Sequence, residues 1–80
     1  MEHQTILRLA ELAFNYHQAP TKHLAEDAQN EAARLAPTAA IFEVWTSLCE
    51  LLPSEEIETV WQAAEWLEKR VGVFHPVHAW

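Results

Sequence analysis

Apolar residues recur along this chain at helical spacing, and three of its four prolines divide the recurrence into four stretches. Pro20, Pro37 and Pro53 lie 17 and 16 residues apart. Proline lacks a backbone N–H and its ring crowds the preceding turn, so each marks a helix boundary and not an interior. In the first stretch, about 3–18, Ile6, Leu9, Ala10, Leu12, Ala13, Phe14 and Tyr16 cover more than half of a helical wheel. Arg8, Glu11, Asn15 and Gln18 form the remaining polar wedge. The second, about 21–35 with Thr21 as a cap, has a narrow face of small residues: Leu24, Ala25, Ala28, Ala32 and Leu35. Alanine there lets a neighbouring backbone come close. The third, about 38–52, carries Ile41, Trp45, Leu48 and Leu52 at i, i+4, i+7 and i+11, flanked by Phe42, Val44, Cys49 and Leu51. That breadth predicts the most buried helix.

The fourth stretch, 54–71, opens with Ser54 as an N-cap, and Glu55, Glu56 and Glu58 fall in its first turn, where the helix dipole favours anions. Lys69 and Arg70 close its last turn, and Gly72 stands at the usual glycine position just beyond a helix end. Its predicted core stripe is Ile57, Val60, Trp61, Ala64, Leu67 and Val71. Trp66 falls about 140° from the centre of that stripe, beside Ala63 and Arg70, at 100° per residue. The tail, 73–80, is apolar and histidine-containing around Pro76, and is expected to fold back on the bundle or reach a neighbour. The pattern predicts an all-α fold: one domain over 1–80, built from four short antiparallel helices.

Within 6–37, Leu9, Leu12, Ala13 and Tyr16 stand at i, i+3, i+4 and i+7, and Ala25, Ala32 and Pro37 follow. This spacing resembles the tetratricopeptide (TPR) helical hairpin, whose first helix carries large, Leu, small and Tyr positions and whose second carries two small ones before a proline. Gln29 departs from it, standing where the family has a bulky side chain, and Pro20 replaces the usual turn residues. The first-helix pattern returns at Trp45, Leu48, Cys49 and Leu52, displaced by 36 residues. The next helix breaks it, with Trp61 and Glu68 at the small positions. The alternative to TPR-like packing is a plain four-helix bundle or an orthogonal array. The resemblance implies an inner groove lined by Leu7, Ala10, Phe14 and His17, which would take a hydrophobic segment of a partner. The competing expectation is that Leu7 and Phe14 pack beneath the tail.

Half of the 80 residues are apolar, four of them tryptophan. A domain of this size buries only about 60–65% of its unfolded surface, so that apolar content points to a partner or a homodimer. Five Lys and Arg against twelve Asp and Glu give a net charge of −7. A chain that acidic lacks the basic stripe that neutralises phosphates, which argues against direct binding of nucleic acid or an anionic membrane. The single cysteine excludes an internal disulfide and fits a reducing compartment. The opening Met-Glu-His-Gln has no basic region before an apolar core, and Ala39–Leu52 is too short and too charged to span a bilayer. The expectation is a cytoplasmic protein.

Candidate chemistry is sparse. His75 and His78 stand at an H-x-x-H spacing, and His17 and His23 flank the first turn, but a zinc site needs three or four ligands in defined geometry and Pro76 interrupts the helix between two of them. Cys49 lies between apolar neighbours with no histidine in helical reach, so a core thiol is expected and not a nucleophile. The reading is non-enzymatic, with no metal and no cofactor. Leu7, Phe14, His17, Trp66, Arg70 and Trp80 are the candidate partner-binding residues, since tryptophan and arginine dominate binding hot spots. The expected function is a small acidic adaptor, chaperone or inhibitor that buries an apolar helical surface against another protein. The alternative is a phage or mobile-element inhibitor, anti-CRISPR-like, whose acidic face (Glu55, Glu56, Glu58, Glu65 and Glu68) blocks a nucleic-acid-binding protein.

Overall fold

Each Pro-Thr pair ends one helix and starts the next. A computed structural model describes residues 2–74, with side chains through residue 72, as α1 (His3–Gln18), α2 (Lys22–Leu35), α3 (Ala39–Leu51) and α4 (Val60–Phe74). Thr21 Oγ1 accepts the Leu24 N–H and Thr38 Oγ1 accepts the Ile41 N–H, both at 3.2 Å, so each threonine satisfies a first-turn amide that would otherwise be orphaned. Among the described residues there is no strand, only an isolated antiparallel bridge between Ser54 and Ile57. The protein is an all-α helical bundle. No described helix is long and apolar enough to cross a membrane.

The fourth helix departs from expectation at both ends. It starts at Val60 and not at Ser54. The chain leaves α3 through a cis Leu52–Pro53 peptide bond. Ser54 then closes a tight turn: its Oγ accepts the Glu56 N–H at 3.2 Å and its carbonyl accepts the Ile57 N–H at 3.1 Å. The cap belongs to Thr59. Gln62 N–H donates to Thr59 Oγ1 at 3.2 Å, while Gln62 Oε1 accepts the Thr59 and Glu58 N–H groups at 3.0 and 2.7 Å. This reciprocal T-x-x-Q arrangement is a capping box. A helix beginning at Ser54 would have placed Ile57 at the position where the box needs Glu or Gln. The helix also runs through Gly72 to Phe74, so Lys69 and Arg70 lie before its last turn. Thr59→Ala is expected to lower stability by about 0.5–2 kcal/mol, and Ser54→Ala by less than about 0.5 kcal/mol, measured by urea unfolding. The reverse order would return the cap to Ser54.

α1 is the hub. It packs most extensively on α2, then on α4 and α3, whereas α2 and α3 barely meet. Ile6, Leu9, Ala10, Leu12 and Ala13 of α1 are all buried, making it and not α3 the most central helix. α1 and α2 form an antiparallel hairpin across Ala28 and Ala32, and Arg8 clasps Glu31 over the seam, Nε and Nη2 both reaching Oε2 at 2.9 and 2.8 Å. α3 approaches close enough for Trp45 Nε1 to donate to the Leu9 carbonyl at 2.9 Å. The two residues stand 36 apart, the displacement at which the first-helix pattern recurs in the sequence. Ile57, from the turn before α4, joins Leu48, Leu52, Ala63, Ala64, Leu67 and Val71 in the same core.

Candidate functional site

Starting α4 at Val60 changes which of its residues face inward. With Ile57 entering the core from the turn, the buried stripe of the helix is Ala63, Ala64, Leu67 and Val71, with Val60 half-buried. The stripe has rotated toward Ala63 and away from Trp61. Trp61, expected in the core, is 63% exposed, the most exposed large apolar side chain among the described residues. On the wheel, Trp61, Glu65 and Glu68 run along one edge of the outer face, while Gln62, Trp66, Lys69 and Arg70 run along the other.

The two indoles on this face differ in what covers them. Trp66 is half-buried against the core, and the Arg70 guanidinium lies over its ring, 3.7 Å from the centroid. Arg70 Nη1 also reaches the Trp66 carbonyl at 3.4 Å, so the i, i+4 pair is held as a unit. A cation over an indole at this distance gains roughly 0.5–1 kcal/mol at an exposed site. Among the described residues Trp61 carries no such cation. Its ring neighbour is His3, at 6.2 Å between centroids and tilted by 32°, and His3 Nδ1 lies 3.9 Å from Glu68 Oε2. His3 thus touches the rim of the face from α1 and leaves most of the indole open. Beside Trp66, a shallow depression of about 380 Å³ runs between the turn and the helix, walled by Glu56, Gln62, Glu65, Lys69 and Arg70 over Ile57.

The other residues expected to bind a partner are placed differently. Ala10 is fully buried, and Leu7 and Phe14 are half-buried against the core. They lie on the side of α1 from which His3 meets α4, so much of the face that the resemblance assigns to a groove is spent on contacts within the chain. His17 is exposed at the end of α1, away from Trp66 and Arg70 in the sequence and without a described contact to them. Trp80, His75 and His78 lie outside the described residues, as does the expected docking of the tail. Leu24 and Leu51, expected to face inward or flank the core, are 47% and 43% exposed.

Two further concavities hold no comparable arrangement. A depression of about 420 Å³ follows the α1–α2 seam over Leu12 and Ala28; Arg8 and Glu31 pair with each other across it, Asp27 also lines it, and it holds no exposed aromatic ring. A cleft of about 130 Å³ separates Tyr16, Gln29 and the Trp45–Glu50 turn of α3. Gln29 lines it where a bulkier residue would fill it. Cys49 forms part of its wall, yet desolvation by burial, reinforced by the neighbouring Glu50 charge, outweighs a hydrogen bond to the backbone and pushes the thiol up to about 12. At neutral pH the sulfur is therefore a protonated, poorly nucleophilic thiol. Among the described residues no group of three or more His, Cys, Asp or Glu side chains converges as a metal site would require. No family model matches the chain, and no curated protein or solved structure matches it. The outer face of α4 is the candidate site on its geometry alone.

Proposed function

We propose that the chain is a small protein-binding module that presents the outer face of α4 to another protein. One observation carries this reading: the bundle closes a core of seventeen buried apolar residues among those described and still leaves an indole 63% exposed beside a preformed Trp66–Arg70 pair. Leaving most of an indole exposed forgoes part of the roughly 1.5–3 kcal/mol that full burial of a large apolar side chain provides, a cost that docking on a partner would recover. Tryptophan and arginine together are the residues whose truncation most weakens protein interfaces. Arg70 is already ordered over Trp66, so less side-chain entropy is lost when that surface is covered.

The TPR-like reading of 6–37 draws support from the antiparallel α1–α2 hairpin, from the buried Ala28 and Ala32 at its crossing, and from the contact between Leu9 and Trp45 in the displaced register. In this reading α4 turns back on α1 as a closing element, and the partner docks outside the bundle instead of along an inner groove. An adaptor, chaperone or inhibitor would all use such a surface.

Affinity capture from the native host, with Trp61→Ala and Trp66→Ala in parallel and light scattering on the purified protein, tests the proposal. A specific partner held by the wild type and lost from both variants, with helical content unchanged, is the expected result. A partner held equally by all three moves the interface off α4. A homodimer with no captured partner replaces the module with a self-associating protein.

A further inference from the structure

The charge around the exposed indole narrows the chemistry of the partner. The sequence offers the helix dipole as a sufficient reason for Glu55, Glu56 and Glu58, but none of the three lies in the first turn of α4. Glu55 and Glu56 are exposed on the preceding turn. Glu65 and Glu68 follow Trp61 at i+4 and i+7, on its own edge of the helix; Glu68 shares His3 with the indole, and Glu65 also borders the depression beside Trp66. Glu65 has no ion pair among the described residues, and Glu68 meets only His3, at 3.9 Å. The two cations nearby, Lys69 and Arg70, line the depression beside Trp66 together with Glu65; Arg70 is already spent on Trp66, and Lys69 makes no ion pair with Glu65 among the described residues.

Resting on the protein-binding reading above, we propose that this face docks a basic segment of the partner, with one arginine or lysine seated on the open ring of Trp61 between Glu65 and Glu68. The helix already contains the same contact in finished form one turn away: Arg70 over Trp66 at 3.7 Å. Trp61 repeats the aromatic half with two glutamates on its edge of the helix, and among the described residues no Lys or Arg covers it. An indole attracts a cation through its ring quadrupole, most strongly where the contact is desolvated, and flanking carboxylates add Coulomb attraction and a partner for the guanidinium N–H groups. An acidic or neutral segment would bring like charge against these glutamates or leave them desolvated without a partner, which disfavours both. The net charge of −7 extends the same preference over a longer range and steers a basic partner toward the molecule.

The probe is a synthetic amphipathic peptide of leucine, alanine and arginine, compared with its counterpart carrying glutamate for arginine. Dissociation constants are measured for the wild type, for Trp61→Ala, for Glu65→Gln with Glu68→Gln, and for a control of equal charge change on α2, Glu26→Gln with Asp27→Asn. The arginine peptide is expected to bind and the glutamate peptide not to. Trp61→Ala and the α4 double variant should each weaken binding by about fivefold or more, the loss of a good cation–π contact or of two charge contacts. The α2 control should change it by less than about twofold. Equal losses in the two double variants, equal binding of the two peptides, or no binding of either overturns the proposal. Host capture separates this failure from that of the broader reading. A natural partner lost with Trp61→Ala but unaffected by the α4 double variant keeps the module and removes the basic segment.

Discussion

Trp45→Ala is expected to remove about 3–5 kcal/mol of stability, the usual cost of emptying a fully buried tryptophan site. A domain of this length has only about 4–12 kcal/mol in total, so the variant should lose about a quarter or more of its stability and melt well below the wild type. The size of the effect follows from where the indole sits. Trp45 is 1% exposed, meets Tyr16 edge-on at 5.7 Å and 74°, and stacks on Phe42 at 5.6 Å and 18°. It joins α3 to α1 at the hub of the bundle, so a cavity there lies where the structure can least collapse to fill it. Trp45→Phe separates packing from hydrogen bonding. It keeps an aromatic ring and loses the bond from Nε1 to the Leu9 carbonyl. That carbonyl lies within α1 and has a second lone pair for its helical bond, so it is not orphaned when the indole leaves. The expected cost is about 1–2 kcal/mol, or roughly 4–16 °C in Tm at 4–8 °C per kcal/mol for a domain of this size. Urea unfolding followed by circular dichroism measures both. Equal losses for Phe and Ala would show that the hydrogen bond, and not the packed volume, holds the two helices together.

Most of the fold was legible because its punctuation is local. Pro20-Thr21 and Pro37-Thr38 each combine a residue that cannot continue a helix with one that caps the next: Thr21 makes the bond expected of it, and Thr38 makes the same one. Pro53-Ser54 looks alike and behaves differently. Ser54 can cap either a helix or a turn, and the choice is decided five residues on, where Thr59 and Gln62 satisfy three amides between them. The T-x-x-Q spacing was present in the sequence and outweighs a serine followed by glutamates, because the box satisfies donors in both directions while acidic side chains near a terminus add only a weak, screened interaction.

The candidate site was half legible for the same reason. Trp66 and Arg70 at i, i+4 on a polar face identify themselves by spacing, and the structure stacks them. Trp61 was hidden because a wheel that includes Ile57 as a helical residue is centred wrongly. Once Ile57 is assigned to the turn, the remaining stripe centres on Ala64 and Leu67 and leaves Trp61 outside. Spacing within one helix could not show that α4 packs back on α1, which is what spends much of the expected groove of Leu7, Ala10 and Phe14 inside the molecule. That contact joins residues about sixty positions apart, through His3 with Trp61 and Glu68, and neither local propensity nor periodicity encodes it.

Ala32→Leu is expected to destabilise the bundle by about 1–3 kcal/mol, the range for forcing extra methylenes into a close-packed site, while Ala33→Leu on the adjacent position changes it by no more than about 0.5 kcal/mol. The pair isolates sterics from composition, because both substitutions add the same side chain to the same helix and both replace the best helix former with a good one. Ala32 is fully buried where α2 meets α1, and Ala33 faces solvent. The contribution of α2 to the core is two alanines, Ala28 and Ala32, with no large fully buried side chain. The hairpin therefore coheres through the closeness of two backbones, with Arg8 and Glu31 clasped over the seam. A leucine at Ala32 would push α2 away from the hub and stretch that clasp at the same time. Thermal unfolding of the two variants checks the expectation. If Ala32→Leu matched or exceeded the wild-type Tm, the seam would have spare volume, and the small residues of the second helix would no longer be explained by close approach.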